Sequence, residues 1–200
     1  MGTILLTSTG LSNQAILKSF QKLTNENGLR SVAIVTTASE GKEENKYANL
    51  AKGQLESLGF NATYADFELY PAFDFSSYDA IYVCGGNTFK LLKYAGEADF
   101  GTSIKSLLER GGAYIGVSAG TIILSPTIDV ANEITPDPNE IRLADLKGFN
   151  IIPFHIILHF DESQEEDVAA FEKKYGVTVE RLHNSQAILI KNGDEPRRIG

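Results

Sequence analysis

The feature that most constrains this chain is a rhythm in which short, mainly apolar runs alternate with longer segments of helical periodicity. Ser31–Thr36 (SVAIVT), Ala80–Cys84 (AIYVC) and Ala113–Val117 (AYIGV) lack the apolar–polar alternation of a half-exposed strand. Each therefore predicts a strand buried on both faces. Thr3–Thr7 predicts another, and Asn61–Phe67 alternates as a further strand. Between them, Ser12–Asn27 sets Ile16, Phe20 and Leu23 at helical spacing. Glu40–Gly59 gathers Tyr47, Leu50, Ala51, Leu55 and Leu58 into one apolar stripe, with Gly59 as a stop signal. Shorter helices are predicted over Thr88–Tyr94 and Thr102–Arg110. This alternation is the mark of parallel βαβ units covered by helices on both sides, a doubly wound, mainly parallel α/β sheet.

Thr127–Leu146 breaks the rhythm and reads as a long loop around Thr135-Pro136-Asp137-Pro138-Asn139; loops of that length in compact domains are often functional. An apolar run, Phe149–Ile152, follows, then a helix near Glu165–Tyr175. Short strands near Val177–Arg181 and Ala187–Ile190 read as a small hairpin-like edge, with Asn192-Gly193 as a turn. No repeat, low-complexity stretch or linker interrupts the chain, so residues 1–200 read as one domain.

Composition narrows the function classes. With 42% hydrophobic and 22% charged residues, the 200-residue chain is neither disordered nor a collagen nor a long coiled coil. One cysteine, Cys84, excludes an internal disulfide framework and any cysteine-based metal cage. Eighteen basic against 26 acidic residues give a net charge of −8, which disfavours nucleic acid and anionic membranes as partners. The start, MGTILLTSTG, has no basic region, and Ile4–Leu6 is too short for a signal-peptide core. No stretch approaches the ~18 apolar residues of a membrane span. The expectation is a cytoplasmic protein whose oligomeric state is not legible.

The sharpest chemical motif is Gly116-Val117-Ser118-Ala119-Gly120, a G-x-S-x-G that follows a buried strand and precedes Thr121-Ile122-Ile123-Leu124, which can continue as a helix. That is the setting of a nucleophile elbow, where small neighbours let the serine sit in a tight strand-to-helix turn at a helix N-terminus. Gly85-Gly86-Asn87-Thr88 follows another strand at the same end of the presumed sheet. Backbone N–H groups there and at Ala119 are candidates for an oxyanion hole, and Asn87 is a candidate cap for the next helix. Neither glycine turn matches a phosphate-binding loop or a dinucleotide fingerprint. A serine nucleophile needs a base, and the candidates are His155 and His159; His183 reads as an exposed structural residue. The extended surroundings of His155 and His159 argue against a helical metal pair.

Four ordered motifs, Gly85-Gly86-Asn87-Thr88-Phe89, Ser118-Ala119-Gly120, Pro126-Thr127-Ile128 and His159-Phe160-Asp161, give the stretch from Tyr82 to Asp161 a resemblance to the peptidase E family of serine peptidases, which includes aspartyl dipeptidases and, more distantly, cyanophycinases. The resemblance implies a class I glutamine-amidotransferase-like, flavodoxin-like three-layer fold. It implies Ser118 as nucleophile, His159 as base, and an oxyanion hole from the Gly86 and Ala119 backbone. Leu158 stands where the family has proline, which leaves His155 as a candidate supporting group. For the third member, the resemblance offers Glu133, fifteen residues after the serine. It also offers a C-terminal turn in which Asn184 stands where the family has an acid. Glu133 is the expected acid and Asn184 a candidate orienting group, since an amide can orient an imidazole but cannot stabilise imidazolium by charge. The arginine by which aspartyl dipeptidases hold their substrate has no counterpart in Glu162-Ser163-Gln164-Glu165-Glu166-Asp167. Arg142 and Arg181 are the remaining candidates, and preference for aspartate is not carried over. The expectation is a serine hydrolase that cleaves a small peptide or amide through an acyl-enzyme, with no cofactor and no metal. The alternatives are a catalytically weakened family member binding a small ligand in the same cleft, and a hydrolase of an amide polymer such as cyanophycin.

Overall fold

The computed structural model describes residues 2–135 and 137–200. Five strands, β1 (Thr3–Thr7), β2 (Ser31–Val35), β3 (Asn61–Ala65), β4 (Ala80–Val83) and β5 (Ala113–Val117), pair in parallel in the order β3-β2-β4-β5-β1. Alternate residues feed two separate cores. Leu6, Val35, Val83 and Tyr114 face one side, and Leu5, Ile34 and Ile115 face the other. That is why these runs show no apolar–polar alternation: neither face of the sheet meets water.

Two helices, α1 (Gln14–Asn27) and α2 (Lys46–Ser57), cover one face through Ile16, Phe20 and Leu23 and through Ala48, Ala51 and Leu55. Each begins where an asparagine caps it: Asn13 accepts from the Ala15 N–H at 2.7 Å and Asn45 from the Tyr47 N–H at 2.8 Å. The other face carries α3 (Thr88–Glu97), α4 (Phe100–Glu109) and a single turn, α5 (Ala119–Ile122), packed through Phe89, Leu91, Ile104 and Ile122. The result is the doubly wound sheet expected from the strand–helix rhythm, in the flavodoxin-like three-layer form that the family resemblance implies.

The second half departs from expectation. Thr127–Leu146 contains the short helix α6 (Asp129–Glu133), and Thr127 bridges to Lys147. Phe149–Ile152 is irregular, its N–H groups at Phe149 and Ile151 donating to the carbonyls of Ile123 and Leu124 at 2.8 Å. A parallel two-stranded sheet joins β6 (His155–Leu158) to β7 (Val179–Leu182) across helix α7 (Glu165–Tyr175). The expected hairpin does not form. Strand β8 (Ala187–Lys191) pairs antiparallel with β1, and β9 (Arg197–Ile199) with β8. The wholly apolar AILI run gains more burial beside β1 than it would on an exposed ribbon, so the turn at 183–186 carries the chain from one sheet to the other. Among the described residues, no helix is long and apolar enough to cross a membrane.

Candidate active site

The register brings the C-terminal ends of the parallel strands level, with Val35 beside Val83, Val83 beside Gly116, and Thr7 beside Val117. The chain leaves β2 toward the sheet edge and leaves β4 in the opposite sense, so a crevice opens between the loops beyond these ends. Ser118 is the residue immediately after β5, with φ 48° and ψ −111°. Its N–H donates to the Thr7 carbonyl at 2.9 Å. The Tyr114 hydroxyl donates to the Gly120 carbonyl at 2.6 Å, and the Thr121 hydroxyl donates to the Thr7 carbonyl at 3.1 Å. A Cβ at Gly120 would lie 2.6 Å from the Val83 carbonyl oxygen, which is why the position after Ala119 is glycine. The helix beyond the turn is four residues long, so the helix dipole expected at Ser118 reduces to one turn of N–H groups.

His159 follows β6 with φ 56°, and its backbone N–H donates to the Ser8 hydroxyl at 3.1 Å. That hydroxyl donates onward to the Leu182 carbonyl at 3.0 Å. The His159 ring lies between two partners, with Nε2 3.2 Å from Ser118 Oγ and Nδ1 2.6 Å from Asn184 Oδ1. With an amide oxygen at Nδ1, that nitrogen carries the proton and donates, leaving Nε2 to accept from the serine hydroxyl. Asn184 is held by its backbone, whose carbonyl accepts from the Thr9 hydroxyl at 2.9 Å. The next carbonyl, of Ser185, accepts from the Asn13 side-chain amide at 3.2 Å.

Gly86 faces the same crevice at φ 139°, and a Cβ there would lie 2.0 Å from the Ala38 carbonyl oxygen. Only glycine fits that backbone approach. Among the described residues, neither the Gly86 nor the Ala119 N–H donates to a protein acceptor. The cavity occupies about 580 Å³ and is lined by Ser8, Thr9 and Ser12 after β1, by Ser39 and Glu40 after β2, by Cys84–Gly86, by Val117, Ser118 and His159, and by Asn45, Tyr47, Leu50, Ala51 and Gln54 at α2, with Tyr82 on β4. Cys84 is buried at its floor. Burial pushes its thiol up to about 12, so it is a neutral, unreactive group and not a rival nucleophile.

Residues 4–196 match the family model of Peptidase family S51. The chain belongs to this family. Peptidase E of Salmonella paratyphi A is 31% identical over 169 residues, which cover 83% of this chain and 72% of that protein. Peptidase E of an Escherichia coli O6:K15:H31 strain is 30% identical over 171 residues, with the same coverage of each. A crystal structure of a Listeria monocytogenes EGD-e protein classed with peptidase E superposes over the full length of both chains, with a TM-score of 0.81 and 26% identity.

Against this S51 framework the remaining expected residues separate. Glu133 is not brought to His159, which corrects its place as the expected acid. It ends α6, where Lys174 donates to both its oxygens at 2.8 and 2.9 Å and the Tyr175 hydroxyl donates to one of them. Lys174 and Tyr175 hold its carboxyl below the ordinary value. His155 is buried within β6, its Nε2 3.2 Å from the Thr127 hydroxyl and its ring edge-on to Phe171. Burial lowers its pKa, and among the described residues its side-chain hydrogen-bond partner is Thr127, not Ser118 or His159. Asn87 caps α3, accepting from the Lys90 N–H at 2.8 Å, and its amide donates to the Pro138 carbonyl at 2.8 Å, which docks the 137–139 loop. Arg181 is paired with Glu165 and Glu172, and neither it nor Arg142 lines the cavity.

The residues that sequence reasoning missed are Ser8 and Thr9, which hold His159 and Asn184, together with Tyr47, Leu50 and Gln54 of α2. The Ser8-Thr9 signal was absent, because hydroxyls after a strand read as an ordinary turn. Tyr47 and Leu50 belong to the apolar stripe predicted for this helix, and spacing alone does not set them apart from its buried members. They are 67% and 57% exposed at the cavity mouth.

Proposed function

We propose that this S51 member is a serine-type peptidase that cleaves a small peptide or amide through an acyl-enzyme. The observation that carries the reading is the line from Asn184 Oδ1 through His159 to Ser118 Oγ, with contacts of 2.6 and 3.2 Å on the two ring nitrogens. Ser118 Oγ attacks the substrate carbonyl carbon while its proton passes to His159 Nε2. The carbonyl electrons move to the oxygen, which takes hydrogen bonds from the Gly86 and Ala119 N–H groups. The C–N bond then breaks as His159 returns its proton to the leaving amine. Water hydrolyses the resulting ester by the same route, releasing a carboxylic acid and restoring the serine. Asn184 is a positioning residue that fixes the ring's orientation and tautomer. His155 and Glu133 have structural roles at α6 and α7.

Asn184 also favours a second reading, a weakened member that binds a small ligand in the same cleft, because its neutral amide lends no charge to the imidazolium. Fluorophosphonate labelling separates the two. Wild-type protein labels, Ser118→Ala does not, and His159→Ala labels far more slowly. Folded wild-type protein that stays unlabelled would falsify the hydrolase reading.

A further inference from the structure

The wall that α2 gives the cavity carries a chemistry that the acyl-transfer machinery does not use. Tyr47 and Leu50 sit one turn apart on α2, and Ala51 and Gln54 of the same helix also line the cavity. Isolated exposed apolar residues are ordinary on any surface. These two stand apart because they converge on the cavity that contains Ser118. The floor beneath them is the neutral Cys84 thiol and the buried ring of Tyr82, whose hydroxyl is likewise kept neutral by burial. Among the described residues, the lining contains no lysine or arginine. Nearby Lys42 is held by Asp66 at 2.7 Å and by Glu68. An acidic side chain would enter unpaired and lose its hydration there. Among the described residues, the one formal charge in the lining is Glu40, of the sign that a free α-amino group needs.

We propose that this cavity is the pocket for the first residue of the substrate, and that the substrates are short peptides with a free amino group and an aliphatic or aromatic N-terminal side chain. The proposal rests on the acyl-enzyme reading above. The side chain packs against Tyr47, Leu50 and Ala51 over the Tyr82–Cys84 floor. The ammonium lies on the Glu40 side, and the carbonyl is presented to Ser118. At about 580 Å³ the space is of small-ligand size and takes a dipeptide with an aromatic first residue.

A dipeptide series with a constant second residue tests this. For Phe-Gly and Leu-Gly, kcat/KM exceeds that for Ala-Gly by roughly tenfold or more, as for hydrophobic pockets that gain several methylenes. It exceeds that for Asp-Gly by about a hundredfold, since the carboxylate loses water without a partner. N-acetylation of Phe-Gly costs about tenfold by removing the ammonium that Glu40 faces. Gln54→Arg raises Asp-Gly relative to Phe-Gly by about tenfold by supplying the missing cation. Calorimetric titration of Ser118→Ala with uncleaved Phe-Gly and Asp-Gly reads the pocket without chemistry, and tighter binding of Phe-Gly is expected. Equal or tighter binding of Asp-Gly overturns the pocket, as does a flat or aspartate-preferring panel in enzyme that labels with fluorophosphonate. Preferential Phe-Gly binding by protein that never labels upholds the pocket and overturns the hydrolase.

Discussion

Two regions competed for the third position beside Ser118 and His159, and they differ in what each lacks. The α6 end has the right chemistry, a carboxylate at Glu133, but Lys174 and Tyr175 of α7 engage it. The turn between β7 and β8 has only an amide, yet its Oδ1 is 2.6 Å from His159 Nδ1. The difference lies in backbone anchoring. Thr9 and Asn13, from the loop after β1, hold the Asn184 and Ser185 carbonyls, and Ser8 holds the His159 N–H. One short loop therefore holds both the backbone of His159 and the residue that meets its Nδ1. Glu133 is tied to a different helix pair, around Val130, Ile157, Val168 and Phe171. Position in the fold outweighs charge in deciding which residue meets the ring.

The variants that sharpen this contrast fall in order of size. Asn184→Ala leaves the Nδ1 proton without its acceptor, and kcat/KM falls by about a hundredfold with little change in KM. Asn184→Asp supplies the missing charge: kcat rises by about tenfold and the acid limb of the pH–rate profile moves upward, because a carboxylate stabilises the imidazolium. An unchanged rate and profile for both would remove Asn184 from the mechanism. Glu133→Gln changes kcat/KM by less than about twofold and lowers Tm by no more than about 2 °C, as befits an exposed ion pair. A loss comparable with that of Asn184→Ala would reinstate Glu133.

The smallest effect lies at Glu68, whose carboxyl hydrogen bonds from Lys42 and Lys90 lower from the ordinary 4.5 to about 2. Its folded pKa is depressed, so its stabilisation is complete above about 4.5 and fades as pH falls toward 2. Urea melts of Glu68→Gln should therefore differ from wild type by a small, solvent-screened margin at pH 7 and converge with it at the acid end. A gap that persists unchanged in acid would mean that the residue acts through packing instead of charge.

Much of the site was legible because it lies on local signals. The Ser118 turn needs small neighbours, and the Gly85-Gly86 turn needs a backbone position without Cβ, so both left marks in adjacent residues. The expectation that Asn87 caps α3 rested on equally local chemistry. The α2 stripe was misread for a different reason. Helical spacing identifies an apolar face, but it does not say how far round the helix the sheet reaches. Ala48, Ala51 and Leu55 are covered by the sheet, whereas Tyr47 and Leu50 overhang the crevice. The same limit applied to β7 and β8, whose strand character was readable while their partners were not.

By itself, then, the sequence determined the parallel α/β layering and the small-residue turn at Ser118, because periodicity and turn chemistry act over a few neighbouring positions; between His155 and His159 only the family resemblance chose. Tertiary structure alone decided that Asn184 meets His159 Nδ1, that Glu133 meets Lys174, and that α2 lends two apolar side chains to the cavity. The first two depend on contacts between residues 25 and 41 positions apart, and the third on α2 lining one cavity with a turn roughly 70 positions later, where strand order and not local propensity sets the distance.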